Sequence, residues 1–231
     1  WLLQNGPECA IVELPPIRPD DPFIPWIAVS KYLSEQNLHL KFITTSHKHW
    51  DHFDFPTVAN FQETFQRPIL VSSSFYPEKK LSHFTTSEDL EREGEVSSSL
   101  YVTESDFRRP RNYPDALPHH SKYIPIHCFN EAIFETHLDG EPLFLIPAPK
   151  HHWSDTMVVF RGVMITSDWF LGPNDPNRFH IPKEASDASI DKLIRFSKER
   201  NYKIHALFAA HGNHLHYNVD FEKVMTSSRL K

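Results

Sequence analysis

Residues 40–52 read LKFITTSHKHWDH and place four candidate metal ligands directly after a run of β-branched and aromatic residues. The run 40–46 predicts a buried strand. His47 and His49 are two residues apart, so in extended backbone their side chains point the same way. Asp51 and His52 follow and can turn toward a neighbouring point. Because zinc binds imidazole nitrogen and carboxylate oxygen, this short segment can supply ligands to two adjacent metal ions.

The pattern His-x-His-x-Asp-His after a core strand resembles the motif of hydrolases of the metallo-β-lactamase-fold superfamily. The resemblance extends over residues 1–215. That family takes further ligands from a Pro-Gly-His loop, from an Asp at the end of a later strand, and from a His that ends a late strand. Three segments of this chain are similar to them: Pro149–Thr156 with His151, Gly162–Asp168 with Asp168, and Ala209–Gly212 with His211.

This chain departs from the family pattern at two places. Lys150 and Ser154 replace the two glycines of the Pro-Gly-His loop, and His152 is an alternative to His151 as the ligand. Near the start, Val12-Glu13-Leu14-Pro15 stands where the family has Asp-Pro-Gly. Glu13 is therefore only an approximate counterpart of the family's Asp.

The resemblance implies two divalent metal ions, with zinc expected and iron or manganese as alternatives; whether one or two ions bind stays open. The implied metal ligands are His47, His49 and His151 for the first ion, Asp51, His52 and His211 for the second, and Asp168 as a bridge between them. Asp51 is also the candidate catalytic residue. In such a site a water between two cations becomes the nucleophile, so no serine or cysteine nucleophile is needed.

The order of predicted elements favours an α/β layered fold. The resemblance makes this a four-layer αββα sandwich of the metallo-β-lactamase type. We expect one domain over residues 1–231, with two sheets, helices outside them, and an irregular insert around 76–118 that is rich in charge clusters, serine and proline. The predicted strands are 8–14, 40–46, 68–72, 122–128, 131–138, 142–148, 156–160, 163–167 and 204–210, and the predicted helices are 26–37, 54–66 and 187–200.

Composition limits the partners. The chain has 231 residues, 16 of them His, and a net charge of −6 with His neutral. The acidic balance argues against a nucleic-acid binder, which should show a basic footprint. Apolar runs are far shorter than the ~18 residues that a membrane span needs.

We expect a small-molecule substrate and a cytoplasmic location, since two unpatterned cysteines suit a reducing compartment. The chain begins at Trp1, so a removed targeting peptide stays an alternative.

Four functions are compatible with these motifs. The first is a metal-dependent hydrolase of a small ester, thioester or lactone. The second is a phosphodiesterase or nuclease of the same fold. The third is a mononuclear iron sulfur dioxygenase, because such relatives use two His and an Asp. The fourth is a metal-binding module without turnover. The substrate, the native metal and the oligomeric state do not follow from the sequence.

Aromatic residues adjoin the metal motifs. They form either a wall for an apolar part of the substrate or core packing beneath the loops. The residues concerned are Trp50, Phe53, Trp153, Trp169 and Phe170.

Overall fold

A computed structural model describes residues 1–14, 16, 25–75, 83–84, 100–102, 124–130, 132–172, 181–211 and 214–229. Within these ranges the strands form two sheets. The N-terminal sheet has the order β1-β2-β3-β4-β7-β5, and β6 also pairs with β7. Its strands are β1 Leu2–Asn5, β2 Glu8–Val12, β3 His39–Thr44, β4 Ile69–Ser72, β5 His83–Phe84, β6 Leu100–Val102 and β7 Ile124–Phe129.

The C-terminal sheet has the order β13-β12-β11-β10-β9-β8. Two of its hairpins turn at the predicted dipeptides Asp139-Gly140 and Arg161-Gly162, where both residues have positive φ. Positive φ at both central residues is the requirement of the type I′ hairpin, and Gly meets it at the second position without steric cost. The strands are β8 Phe134–Leu138, β9 Glu141–Pro147, β10 Thr156–Phe160, β11 Val163–Ile165, β12 Ala206–Phe208 and β13 Leu215–Tyr217.

Helices cover the outer faces of both sheets. They are α1 Pro25–Glu35, α2 Phe55–Phe65, α3 Lys183–Glu199 and α4 Phe221–Ser227. The start of α2 is the predicted one, because Asp54 Oδ2 accepts a hydrogen bond from the Thr57 backbone N–H and Pro56 lies in the first turn. None of the helices in the described ranges is long and apolar enough to cross a membrane.

Three apolar clusters separate the layers. In β3, Ile43 faces the helices α1 and α2 while Phe42 faces the second sheet. In β9, Leu145 faces the first sheet while Phe144 packs against α3 and α4. Successive residues of a strand point to opposite faces, so each sheet is buried on both sides. The order helix–sheet–sheet–helix confirms the predicted four-layer αββα sandwich.

The sheet directions bring several strand ends to one edge. Strands β2 and β3 are parallel, and so are β11 and β12. In each pair the carboxyl ends of the two strands are adjacent, so the segments that follow them lie side by side. The two sheets are also joined there directly, because the Thr156 N–H donates to the Ser46 carbonyl oxygen at 2.7 Å.

Several predicted boundaries were wrong. The strand predicted at 163–167 ends at Ile165 and is followed by a 3-10 turn, Ser167–Trp169, and the helix predicted from 187 begins at Lys183. The short elements β1, β13 and α4 were not predicted. Most of the insert at 76–118 lies outside the described residues, so its irregular character stays a prediction; within it, 83–84 and 100–102 are short strands. The single-domain assignment stays a prediction.

Candidate metal centre

Four of the predicted ligands converge at the first position: His47, His49, His151 and Asp168. Each offers one ligand atom, and these atoms lie within 4.8 Å of one another. His49 Nδ1 is 3.0 Å from His47 Nε2 and 3.3 Å from His151 Nε2. Asp168 Oδ2 lies 3.6 Å from His151 Nε2. We call this set the first donor group.

Asp51, His52 and His211 form a second donor group, whose ligand atoms also lie within 4.8 Å of one another. His211 Nε2 is 3.2 Å from His52 Nε2 and 3.4 Å from Asp51 Oδ2. His211 follows β12, whereas Asp51 and His52 follow β3. The structure therefore brings all seven predicted ligands to one edge of the sandwich.

Asp168 contacts both groups. Its Oδ2 lies 3.4 Å from His52 Nε2, and its Oδ1 lies 3.2 Å from His211 Nε2. Within the described ranges, the buried Oδ1 has no hydrogen-bond partner. The two carboxylate oxygens of Asp168 thus face imidazole nitrogens of both donor groups, Oδ2 those of His151 and His52 and Oδ1 that of His211.

The loop after β3 is held by its own short polar side chains. The Thr45 hydroxyl donates to the His52 carbonyl oxygen at 3.1 Å, and the Ser46 hydroxyl lies 2.9 Å from His47 Nδ1. The Lys48 N–H donates to Ser154 Oγ at 3.0 Å, which ties this loop to the loop of His151. The contact at Nδ1 leaves Nε2 of His47 facing the first donor group.

Asp155 organises the loop that carries His151. Its buried Oδ2 accepts the backbone N–H groups of Lys150, His151 and His152 at 2.9, 2.6 and 2.8 Å. Burial raises the pKa of Asp155 to about 7 against the lowering effect of these bonds. His151 belongs to the first donor group, whereas His152 turns toward Ser154, whose Oγ lies 2.7 Å from His152 Nδ1.

Glu13, which the sequence marks only as an approximate counterpart of a family Asp, contacts the predicted ligand His52 directly. Its Oε2 lies 2.6 Å from His52 Nδ1, and its Oε1 accepts the Ser46 N–H at 3.3 Å. Glu13 has φ of 74°, a left-handed conformation that is strained for a residue with a side chain. Carboxylates that bond to the second nitrogen of a ligand His orient the ring, so Glu13 belongs to the site.

The pKa shifts in the site favour neutral imidazole at His47 and His49 and ionised carboxylate at Asp51. Burial, together with the neighbouring imidazoles, lowers the pKa of His47 well below its ordinary value and also lowers that of His49. Burial opposes ionisation of Asp51, but the hydrogen bond from His211 and the charges of His52 and His211 together outweigh it and lower the pKa to about 2. Neutral imidazole and ionised carboxylate are the forms that bind metal.

His52 and His211 behave differently from His47 and His49. The hydrogen bond to Asp51 raises the pKa of His211 above its ordinary value, although burial opposes this. Burial acts to lower the pKa of the His52 imidazole, but the bonds to Asp168 and Glu13 outweigh burial and raise it to about 10. Without metal, His52 therefore holds a proton at neutral pH.

A cavity of about 300 Å³ opens onto the second donor group. Trp1, Glu13, Asp51, His52, Ala210 and His211 line it. Of the aromatic residues beside the motifs, Phe53, Trp169 and Phe170 are buried and pack in the core, whereas Trp153 is 48% exposed. The core-packing interpretation is thus correct for those three.

The comparisons with known proteins agree with this geometry at the level of fold. No protein-family model and no curated protein matches the chain. Among solved structures, a metallo-β-lactamase from Pontibacter korlensis is 10% identical, with a TM-score of 0.58 over 100% of this chain and 86% of that one. An archaeal metallo-β-lactamase superfamily protein from Sulfolobus tokodaii is 18% identical, with a TM-score of 0.55 over 97% of this chain and 77% of that one.

A metallo-β-lactamase family protein from Thermus thermophilus is 16% identical, with a TM-score of 0.54 over 99% of this chain and 72% of that one. Identities this low establish the fold and leave the chemistry to the residues of the site. The chain therefore has the metallo-β-lactamase fold that its histidine motifs predicted.

Proposed function

We propose that this chain is a metal-dependent hydrolase that binds two divalent metal ions and hydrolyses a small ester, thioester or lactone. The observation that carries the proposal is the pair of adjacent donor groups with the Asp168 carboxylate between them. One donor group would suit many metal proteins. Two groups that share a carboxylate are the arrangement that dinuclear hydrolysis requires.

The donor chemistry fits such ions. Imidazole nitrogen and carboxylate oxygen suit zinc first, with iron and manganese as alternatives. In this proposal His47, His49 and His151 hold one ion, Asp51, His52 and His211 hold the other, and Asp168 binds both. The Oδ1 of Asp168 lies 3.2 Å from His211 Nε2 and makes no hydrogen bond among the described residues, which supports its bridging role.

When bound, the two ions would lower the pKa of a water to near neutrality and polarise the substrate carbonyl oxygen. The chain's own residues orient the reactants. Asp51 lines the cavity and is ionised at neutral pH, so it can accept a hydrogen bond from the attacking water and direct it toward the carbonyl carbon. Glu13 holds the His52 ring in place from the side remote from the ions.

The cavity lining favours a carbonyl substrate over a phosphodiester. Among the described residues that line it there is no Lys or Arg, and Glu13 and Asp51 add negative charge. A phosphodiester anion would therefore depend on the two metal ions alone to balance its charge, and the carboxylates of Glu13 and Asp51 would oppose it. Both cysteines are buried in the core and form no disulfide with each other, which supports a location in a reducing compartment such as the cytoplasm.

The test is a substrate panel for the full chain loaded with zinc, manganese or iron. The panel contains p-nitrophenyl butyrate, an acyl thioester, a γ-lactone and bis(p-nitrophenyl) phosphate, with oxygen uptake followed in parallel. We expect turnover of a carbonyl substrate that stops with chelator, returns with metal, and is absent in His211→Ala. Turnover of the phosphodiester alone, or oxygen uptake with a single iron, would contradict the proposal.

A further inference from the structure

Lys150 is a buried lysine beside the first donor group. Its side chain is 1% exposed and stands where the resembling motif has a glycine. Its Nζ donates to the Trp169 carbonyl oxygen at 2.9 Å and lies 4.3 Å from the centre of the Trp169 ring. Burying an amino group costs free energy unless it is hydrogen-bonded, so these contacts account for the inward position of Lys150.

A second hydrogen bond joins the same two segments, with Trp169 as the donor. The Trp169 indole Nε1 donates to the Ala148 carbonyl oxygen at 2.8 Å, and Trp169 is 2% exposed. The segment 148–150 and the turn Ser167–Trp169 are thus joined by two reciprocal bonds. We call this pair of bonds the Lys150–Trp169 clasp.

The clasp joins the two segments that carry donors of the first group. His151 is the next residue after Lys150, and Asp168 is the residue before Trp169. Their facing atoms, His151 Nε2 and Asp168 Oδ2, lie 3.6 Å apart. The hydrogen bonds to Asp155 hold the backbone of the loop at Lys150 and His151. The clasp holds this loop against the turn that carries Asp168.

We propose that Lys150 is a positioning residue that sets the spacing of His151 and Asp168, and through it the metal affinity of the first donor group. The inference rests on the proposed function, because it assigns that group to a metal. In this proposal Lys150 acts through Trp169 and is not itself a metal ligand.

The test compares Lys150→Met with Lys150→Arg, which keeps a donor, and with a matched control, Lys192→Met. The Lys192 Nζ also donates to a backbone carbonyl of this strand end, that of Pro147, at 2.7 Å, but it belongs to α3 and is outside the clasp. Two readouts are used: hydrogen exchange of the Trp169 indole N–H in the metal-free protein, and zinc titration followed through the NMR signals of the His151 and His211 rings.

For Lys150→Met we expect at least about ten-fold faster indole exchange and about 10–100-fold weaker zinc binding at His151, with a smaller change at His211. Lys150→Arg should restore both readouts to within about three-fold of the wild type, as Lys192→Met should. Unchanged exchange and affinity in Lys150→Met would overturn the proposal. So would an equal loss in Lys192→Met.

Two further outcomes are separable. If Lys150→Met does not fold, Lys150→Arg decides: retained exchange protection and zinc affinity support the proposal, and a loss like that expected of Met overturns it. If the wild type binds none of zinc, manganese and iron, the proposed function fails and the metal role of Lys150 fails with it. Exchange in the metal-free protein distinguishes that result from failure of the clasp itself.

Discussion

Glu13 and His52 are joined by a 2.6 Å contact between Oε2 and Nδ1, although 39 residues separate them in the chain. The contact links the end of β2 to the loop after β3 across two parallel neighbouring strands. It fixes which nitrogen of His52 faces the second donor group. Glu13 has one methylene more than the Asp of the family, and its other carboxylate oxygen accepts the Ser46 N–H. Its backbone is in the left-handed conformation.

Glu13→Gln is expected to lower the pKa of His52 from about 10, because the substitution removes the charge of one of its two carboxylate partners. The measurement is an NMR titration of the ring in metal-free protein, with Glu135→Gln at the surface as control. The same substitution should weaken zinc binding at the second donor group by about ten-fold.

The pH dependence of stability follows from the same shift. The folded pKa of His52 is raised above its ordinary value of 6.5, so its contribution to the free energy of unfolding is full below about pH 6.5. That contribution is lost as the pH rises through about 10. In Glu13→Gln the free energy of unfolding should fall less between about pH 6.5 and about pH 10 than in the wild type. Denaturant unfolding of metal-free protein measures this. A variant with the wild-type pH profile would show that Glu13 does not set the pKa of His52.

His151→Ala should lower the bound metal by one equivalent, since it removes a nitrogen from the first donor group. His152→Ala is the matched control, because the His152 ring turns toward Ser154 and lies outside both donor groups. Metal content after dialysis measures both. If His152→Ala lost the metal and His151→Ala kept it, the alternative ligand would be the true one.

Asp168→Ala should lose metal from both donor groups and reduce turnover by at least about 10³-fold, because the lost carboxylate contacts both and catalysis requires both ions. Metal analysis and initial rates are compared with Asp191→Ala, an exposed carboxylate paired with Arg229. Full metal and full rate in Asp168→Ala would refute its bridging role.

Asp54→Ala should lower the free energy of unfolding by about 1 kcal/mol, since it removes the N-cap of α2. Asp54→Asn keeps an acceptor and should cost less. Denaturant unfolding of metal-free protein gives both values. Equal stability of the Ala variant and the wild type would mean that the cap contributes nothing.

The parts of the site that the sequence predicted are those set by chain order and strand ends. His47, Asp168 and His211 each follow an apolar strand, and parallel strands bring such ends together, so their convergence follows from the sequence pattern. The family resemblance supplied the pairing into two groups. Asp54 and the two hairpin dipeptides were predictable because their backbone requirements are local.

The parts that were missed depend on contacts between distant residues. The partner of Glu13 is 39 residues away, and no local pattern indicates it. Lysine is rarely buried, so the sequence does not indicate that Lys150 turns inward to bond with the distant Trp169. Strands β1 and β13 are short edge strands with few buried residues, so they lack the alternation that identifies a strand.

The central claim is that two donor groups hold two metal ions. The most direct test is the metal content per chain, measured by mass spectrometry on tag-free protein purified without chelator. We expect about two equivalents of zinc, manganese or iron per chain, as a dinuclear site requires. A protein that holds no metal, even after zinc or iron is added back, would contradict this claim.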